Sequence, residues 1–249
     1  YLSSLPKSGG WLNSVKVIMG FLELAAALKF ISSADLVWGW DIFTRKVVMI
    51  IWVIIFLMIA IYALGLIKFP HDSKVLKLSR RRIITSIFFI FFTFWLSTGL
   101  FNRKIYSPNS VMKSTASFID SWLPPYKDYR FIENYDLAVK KAIEKDMPLF
   151  IDFTGYACVN CRLMENEIFT EKEIDKIFNK FVLAKLYTDG GDAIHAEYAD
   201  MLVDRFKTAA LPYYAIIDPK TGSTIITFDG YDPDPDKFLK FLEEGLSEY

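Results

Sequence analysis

The sequence predicts a transmembrane α-helical segment followed by an α/β domain, on three observations. Residues 47–67 and 83–101 are 21 and 19 residues long without one charged side chain. Charge divides along the chain: residues 1–125 hold 14 Lys/Arg against 5 Asp/Glu, and residues 126–249 hold 15 against 24. From Tyr129 onward, strand-like and helix-like segments alternate. A hydrophobic share of 53% is high for a soluble protein and low for a chain lying wholly in lipid. The division is therefore a membrane half, 1–101, a linker, 102–127, and an acidic domain, 128–249. The chain opens on Tyr1 without a signal-peptide pattern, and reads as the C-terminal piece of a longer protein.

At a rise of about 1.5 Å per residue, each uncharged stretch spans roughly 30 Å, the thickness of a hydrocarbon core. Residues 11–31 are a third span, interrupted by Lys16, Glu23 and Lys29. Lys16, Gly20, Glu23 and Ala27 fall on one helical stripe. In lipid such a stripe faces other helices or a wet cavity. Lys16 and Glu23 then either pair and anchor the packing or line a path for electron-carrying partners. The 15-residue loop 68–82 carries six Lys/Arg against Asp72, which places it in the cytoplasm and everything after 101 outside. Topology accounts for this basic run better than nucleic acid does, and no nucleic-acid partner is expected. Residues 102–127, with scattered serines and Pro124-Pro125, read as an extended tether.

In the acidic half the expected elements are a short strand at 130–133 and a helix at 135–145. The helix would have Asn134 as N-cap and Leu137, Ala138, Ala142 and Ile143 on one face. A strand at 149–153 precedes a turn with Gly155 and helical sequence to about Asn179. Then come a strand at 181–187, a helix at 193–207, strands at 213–218 and 224–229 around a turn at 219–222, and a helix at 236–246. The order β-α-β-α-β-α-β-β-α is that of thioredoxin, with parallel crossovers and a closing hairpin.

The chain's two cysteines, Cys158 and Cys161, sit at the junction of a strand and a helix. Structural zinc takes about four ligands, whereas the chain offers only His71, on the cytoplasmic side, and His195 besides. An inert buried pair leaves the placement at a helix start unexplained. A redox pair explains it, because helix N–H groups favour a thiolate at the first cysteine and the second lies one turn deeper, within reach to resolve a mixed disulfide. No cofactor or metal is needed for that exchange.

Two carboxylates stand where they would tune the pair. Asp152 shares a strand face with Phe150 while Ile151 and Phe153 occupy the other, so it is expected to be buried with a raised pKa, able to take or give a proton. Glu165, four residues after Cys161, lies on the same helical stripe as the cysteines. It either raises the thiol pKa values or is a solvated helix residue.

These residues carry a resemblance. Asp152-Phe153-Thr154-Gly155-Tyr156-Ala157-Cys158-Val159-Asn160-Cys161-Arg162, Met164-Glu165 and Leu211-Pro212 resemble the C-terminal domain of DsbD-type thiol:disulfide interchange proteins. Gly10-Trp11-Leu12, Val15-Lys16 and the stretch 69–73 resemble that family's last membrane helices. The resemblance implies a protein-disulfide reductase of the inner membrane with its thioredoxin-like domain in the periplasm, serving such processes as cytochrome c-type biogenesis. Its partners would be an upstream cysteine pair within the membrane, an N-terminal domain and periplasmic thiol proteins. It gives Cys158 and Cys161 as the redox pair, Asp152 and Glu165 as the acidic residues that modulate it, and a cis Leu211-Pro212 whose backbone holds substrate. Ala157 stands where many thioredoxin-like proteins have Trp, which leaves the potential open within about −270 to −120 mV. A tethered oxidase or isomerase, or a non-enzymatic adaptor, is the alternative.

Overall fold

The computed structural model describes residues 10–69, 78–101, 105 and 110–249. Residues 70–73 of the motif around His71, Lys74 and Lys77 of the basic loop, and 102–104 and 106–109 of the expected linker lie outside the described residues. The chain divides into two compact units, Tyr1–Ser32 with Ile42–Pro108, and Ser33–Asp41 with Asn109–Tyr249.

The helices before residue 102 are α1 (Gly10–Trp38), α2 (Arg45–Ala63) and α3 (Arg80–Phe101), and the first unit holds α1 as far as Ser32 together with α2 and α3. All three are long and apolar enough to cross a membrane. Helix α1 runs past the expected end at 31, and α3 begins at Arg80, so its three arginines form a first turn instead of loop. Several polar groups inside the unit bond to backbone carbonyls, which lowers the cost of holding them in apolar surroundings. Trp52 Nε1 donates to Ala25 O at 2.9 Å and Ser86 Oγ to Ala60 O at 3.1 Å. Arg82 closes the end of α2, with Nε donating to Ala63 O at 2.9 Å and an Nη to Tyr62 O at 3.0 Å. A Cβ at Gly99 would stand 2.8 Å from Met49 Cε, so α2 and α3 approach as closely as they do because residue 99 has no side chain. Lys16, Glu23 and Ala27 of the α1 stripe are exposed on this unit.

In the second unit, helix α4 (Ser110–Ser121) corrects the extended tether. Met112, Ala116, Ile119 and Leu123 recur at helical spacing along 110–123. Ala116 and Leu123 are buried and Met112 and Ile119 half-buried, so apolar periodicity outweighs the serine content.

The sheet that follows contains β1 (Phe131–Ile132), β2 (Leu149–Thr154), β3 (Val182–Tyr187), β4 (Tyr213–Ile217) and β5 (Thr224–Asp229). Its order is β1-β3-β2-β4-β5. The first three are parallel, and β4 and β5 run antiparallel, as the thioredoxin order requires. Helices α5 (Tyr135–Lys145) and α8 (Ala193–Phe206) supply Ala138, Ala142, Tyr198 and Leu202 to one face, against Ile151, Phe153, Ala184 and Ala215. On α5 only the alanines are buried; Leu137 and Ile143 are exposed, because the small side chains are the ones that let the helix sit close to the strands. The other face carries Phe150, Leu183, Tyr214 and Ile216 under an aromatic layer that includes Phe169, Phe178, Phe238 and Phe241. This layer comes from the segment after the cysteines and from α9 (Pro235–Ser247).

The helix expected to reach Asn179 is interrupted. Short α6 (Val159–Leu163) passes into a π-helical turn, Met164–Ile168, and a fresh start at α7 (Lys172–Ile177) ends in a 3₁₀ turn, Phe178–Lys180. The wide turn admits Met164, Ile168 and Phe169 together to the core.

Candidate functional site

The site lies where β2 ends. Thr154 closes the strand, a turn of three residues follows, and Cys158 is the N-cap of α6. Cys158 and Cys161 are joined in a disulfide with Cα atoms 5.3 Å apart. The two sulfurs differ in surroundings: Cys158 is half-buried, whereas Cys161 is 1% exposed. Cys161 N–H donates to Cys158 Sγ at 3.1 Å, a bond that favours negative charge on that sulfur once the disulfide opens.

The turn is held from across the sheet. Asp189, just beyond β3, accepts from the N–H groups of Tyr156 at 2.7 Å and Ala157 at 3.1 Å. A Cβ on Gly155 would stand 2.7 Å from Asp189 Oδ2 and 3.2 Å from Leu211 Cδ1, so glycine is what allows both neighbours to close on the turn. Tyr156 lies flat on Tyr187 of β3, with centroids 4.0 Å apart. Leu211-Pro212 is cis, as the fold-based expectation has it, and Pro212 O accepts from Gly230 N–H at 2.9 Å.

Asp152 is buried at 1% exposure, on the face that also holds Phe150 and Thr154. Sheet register sets Lys185 beside it on β3 and Tyr214 beside it on β4. Neither Asp152 oxygen has a hydrogen-bond partner, and Lys185 Nζ is 3.9 Å away. That ammonium is instead engaged by Glu165 Oε1 at 2.7 Å, and Arg162 Nη2 reaches the same carboxylate at 3.0 Å. Arg162 also donates to Thr154 Oγ1 at 2.8 Å.

Burial therefore governs Asp152. It pushes the carboxyl up to about 7, against the pull of Lys185, with Glu165 raising it further and Arg162 opposing. Burial alone would depress Lys185, but Glu165 and then Asp152 more than offset it, and its pKa is raised. Glu165 is not a solvated helix residue: its side chain is 15% exposed and holds two ion pairs. Because it sits in the π-helical turn, its charge is answered by Lys185 and Arg162 and not left to act on the sulfurs alone.

Sequence reasoning passed over Lys185, Arg162 and Asp189. A lysine within an otherwise apolar buried strand is itself a signal, since such a charge is retained only with a carboxylate nearby. Asp189, after the strand, gave no signal of its own.

Residues 135–246 match the thioredoxin-like domain family. The chain is 23% identical over 246 residues to the thiol:disulfide interchange protein DsbD of Ralstonia nicotianae, covering 97% of this chain and 38% of that protein. It is likewise 23% identical over 180 residues to DsbD of Campylobacter jejuni, covering 72% and 29%. The chain thus spans less than two-fifths of the length of either relative. The oxidised C-terminal domain of Neisseria meningitidis DsbD superimposes at a TM-score of 0.37 with 18% identity, over 44% of this chain and 91% of that one. A thioredoxin from Thermus thermophilus gives 0.38 and 21%, over 44% and 82%. The chain resembles the C-terminal part of DsbD: apolar helices, then a thioredoxin-like domain with a close cysteine pair.

Proposed function

We propose that the chain is a protein-disulfide reductase anchored in the inner membrane, passing electrons through Cys158 and Cys161 to protein partners outside the cytoplasm. The observation that carries this is the disulfide at the start of α6, with Cys158 half-buried and Cys161 at 1% exposure. In the reduced state, the Cys158 thiolate attacks a partner disulfide. One partner sulfur leaves as thiolate and a Cys158–partner bond forms. Cys161 then loses its proton and attacks Cys158 Sγ, releasing the second partner sulfur and closing the disulfide seen here. The partner gains the two electrons that the cysteine pair loses, and its two sulfurs take up one proton equivalent to that lost by Cys161 and one from water.

Asp152, with its carboxyl near 7, is the group suited to take the Cys161 proton. Burial raises its proton affinity, and Lys185, Glu165 and Arg162 adjust it. Leu211 packs against Gly155 of the turn before Cys158, and the backbone of Leu211-Pro212 is assigned to hold an extended substrate segment there. The basic loop before α3 supports a periplasmic position for the domain. The likeness to DsbD supports the choice of partners: an upstream membrane cysteine pair as donor, an N-terminal domain and periplasmic thiol proteins as acceptors.

The test is turnover of a disulfide-bonded peptide by the full chain in detergent, with dithiothreitol as donor. Cys158→Ser and Cys161→Ser should each abolish dithiol turnover; retention by both sinks the proposal. Equilibration with glutathione then gives the potential, and a value near about −120 mV would mark an oxidase instead.

A further inference from the structure

Apart from the disulfide chemistry, the three-helix unit holds a cavity of about 390 Å³ between the end of α2 and the beginnings of α1 and α3. Its apolar wall comes from Val15, Ile18 and Ala63, its polar wall from the hydroxyls of Ser14, Ser79 and Thr85, and two arginines, Arg81 and Arg82, border it. The two cations differ in what already occupies them. Arg82 is spent on structure: it caps the carbonyls of Tyr62 and Ala63, reaches Ser14 Oγ at 3.4 Å and lies 5.8 Å from the Tyr62 ring centroid. Arg81 is exposed at the rim.

We infer that this cavity takes the headgroup phosphate of an anionic phospholipid, with Arg81 as the cation that selects it. A mostly apolar cavity with hydroxyl-bearing residues in its wall and arginine at its edge suits a phosphate on a glycerol backbone better than a fully solvated anion, which would leave Val15, Ile18 and Ala63 facing water. Its position fits as well. One uncharged stretch begins at Ile83 and the other ends at Ile67, just past α2, so the arginines stand where the hydrocarbon region ends and headgroups begin. Basic pockets between membrane helices on the cytoplasmic side are favourable sites for anionic headgroups. The inference rests on α1–α3 spanning a membrane, and is independent of the cysteine chemistry.

The experiment uses the full chain, delipidated in detergent, with a fluorescent phosphatidylglycerol displaced by unlabelled phosphatidylglycerol, phosphatidylcholine or inorganic phosphate. Phosphatidylglycerol should compete best. Arg81→Gln should weaken its binding about fivefold, the effect of removing one cation from an anionic surface. Lys68→Gln, a basic residue not lining the cavity, should leave binding unchanged. Equal competition by inorganic phosphate, or equal loss from Lys68→Gln, would overturn the inference in favour of a free-anion site or general charge attraction. Flotation with vesicles separates the premise: a chain that fails to float overturns both the spanning and the lipid site, whereas one that floats without headgroup preference overturns the lipid site alone.

Discussion

Glu165→Ala is expected to destabilise the thioredoxin-like domain by about 3–5 kcal/mol, the cost of removing one partner from a buried ion pair. The carboxylate is the shared acceptor of Lys185 Nζ at 2.7 Å and Arg162 Nη2 at 3.0 Å, and those side chains are 5% and 3% exposed. Neither cation gains water when it goes. Asp152 at 3.9 Å from Lys185 is the acid left nearby, and Lys185 would draw its pKa down once Glu165 no longer holds it up. Hydrogen exchange of β2 and β3 amides in the full chain measures the cost. Those amides exchange through unfolding of the domain, so a loss of this size accelerates them by about a hundredfold or more. Glu165→Gln, which keeps the volume and one acceptor, should fall between.

Asp152→Asn should stabilise the same domain, and by an amount that depends on pH. The folded-state pKa of about 7 is above the ordinary value of 3.8 because burial disfavours the charged form. Between those values the folded state keeps a proton that the unfolded chain releases. Wild-type stability therefore falls as pH rises through this window, and the whole penalty is present above it. Asparagine carries no such penalty. The wild type should lose about 2–3 kcal/mol relative to the variant between about pH 5 and about pH 8. Melting the two chains side by side across that range checks it. A parallel pH dependence would mean that Asp152 is ionised throughout. If Asp152 takes the Cys161 proton as proposed, the variant should also lose an inflection near neutral pH in exchange assays.

The domain was readable because its local signals agree. The short apolar run 149–153, the N-cap at Asn134 and a C-x-x-C at a strand end each point to the same order of elements. Burial of Asp152 was also readable, since apolar residues occupy both faces of its strand. What resisted reading depends on register between distant segments. Lys185 meets Asp152 only because β2 and β3 pair in parallel at that step, and Glu165 meets both cations only because a π-helical turn re-aims it. Helix α4 was misread because serine-rich composition masked an apolar repeat. The grip of Asp189 on the turn before Cys158 joins residues 32 and 33 positions apart, beyond the reach of any local pattern.

The most direct test of the account is to capture the intermediate. Cys161→Ser, reduced and mixed with a disulfide-bonded protein substrate, should accumulate a covalent adduct whose mass and fragmentation place the partner's sulfur on Cys158; Cys158→Ser should accumulate none. An adduct on Cys161 in the second variant, or no adduct in either, would contradict the assignment of Cys158 as the attacking sulfur.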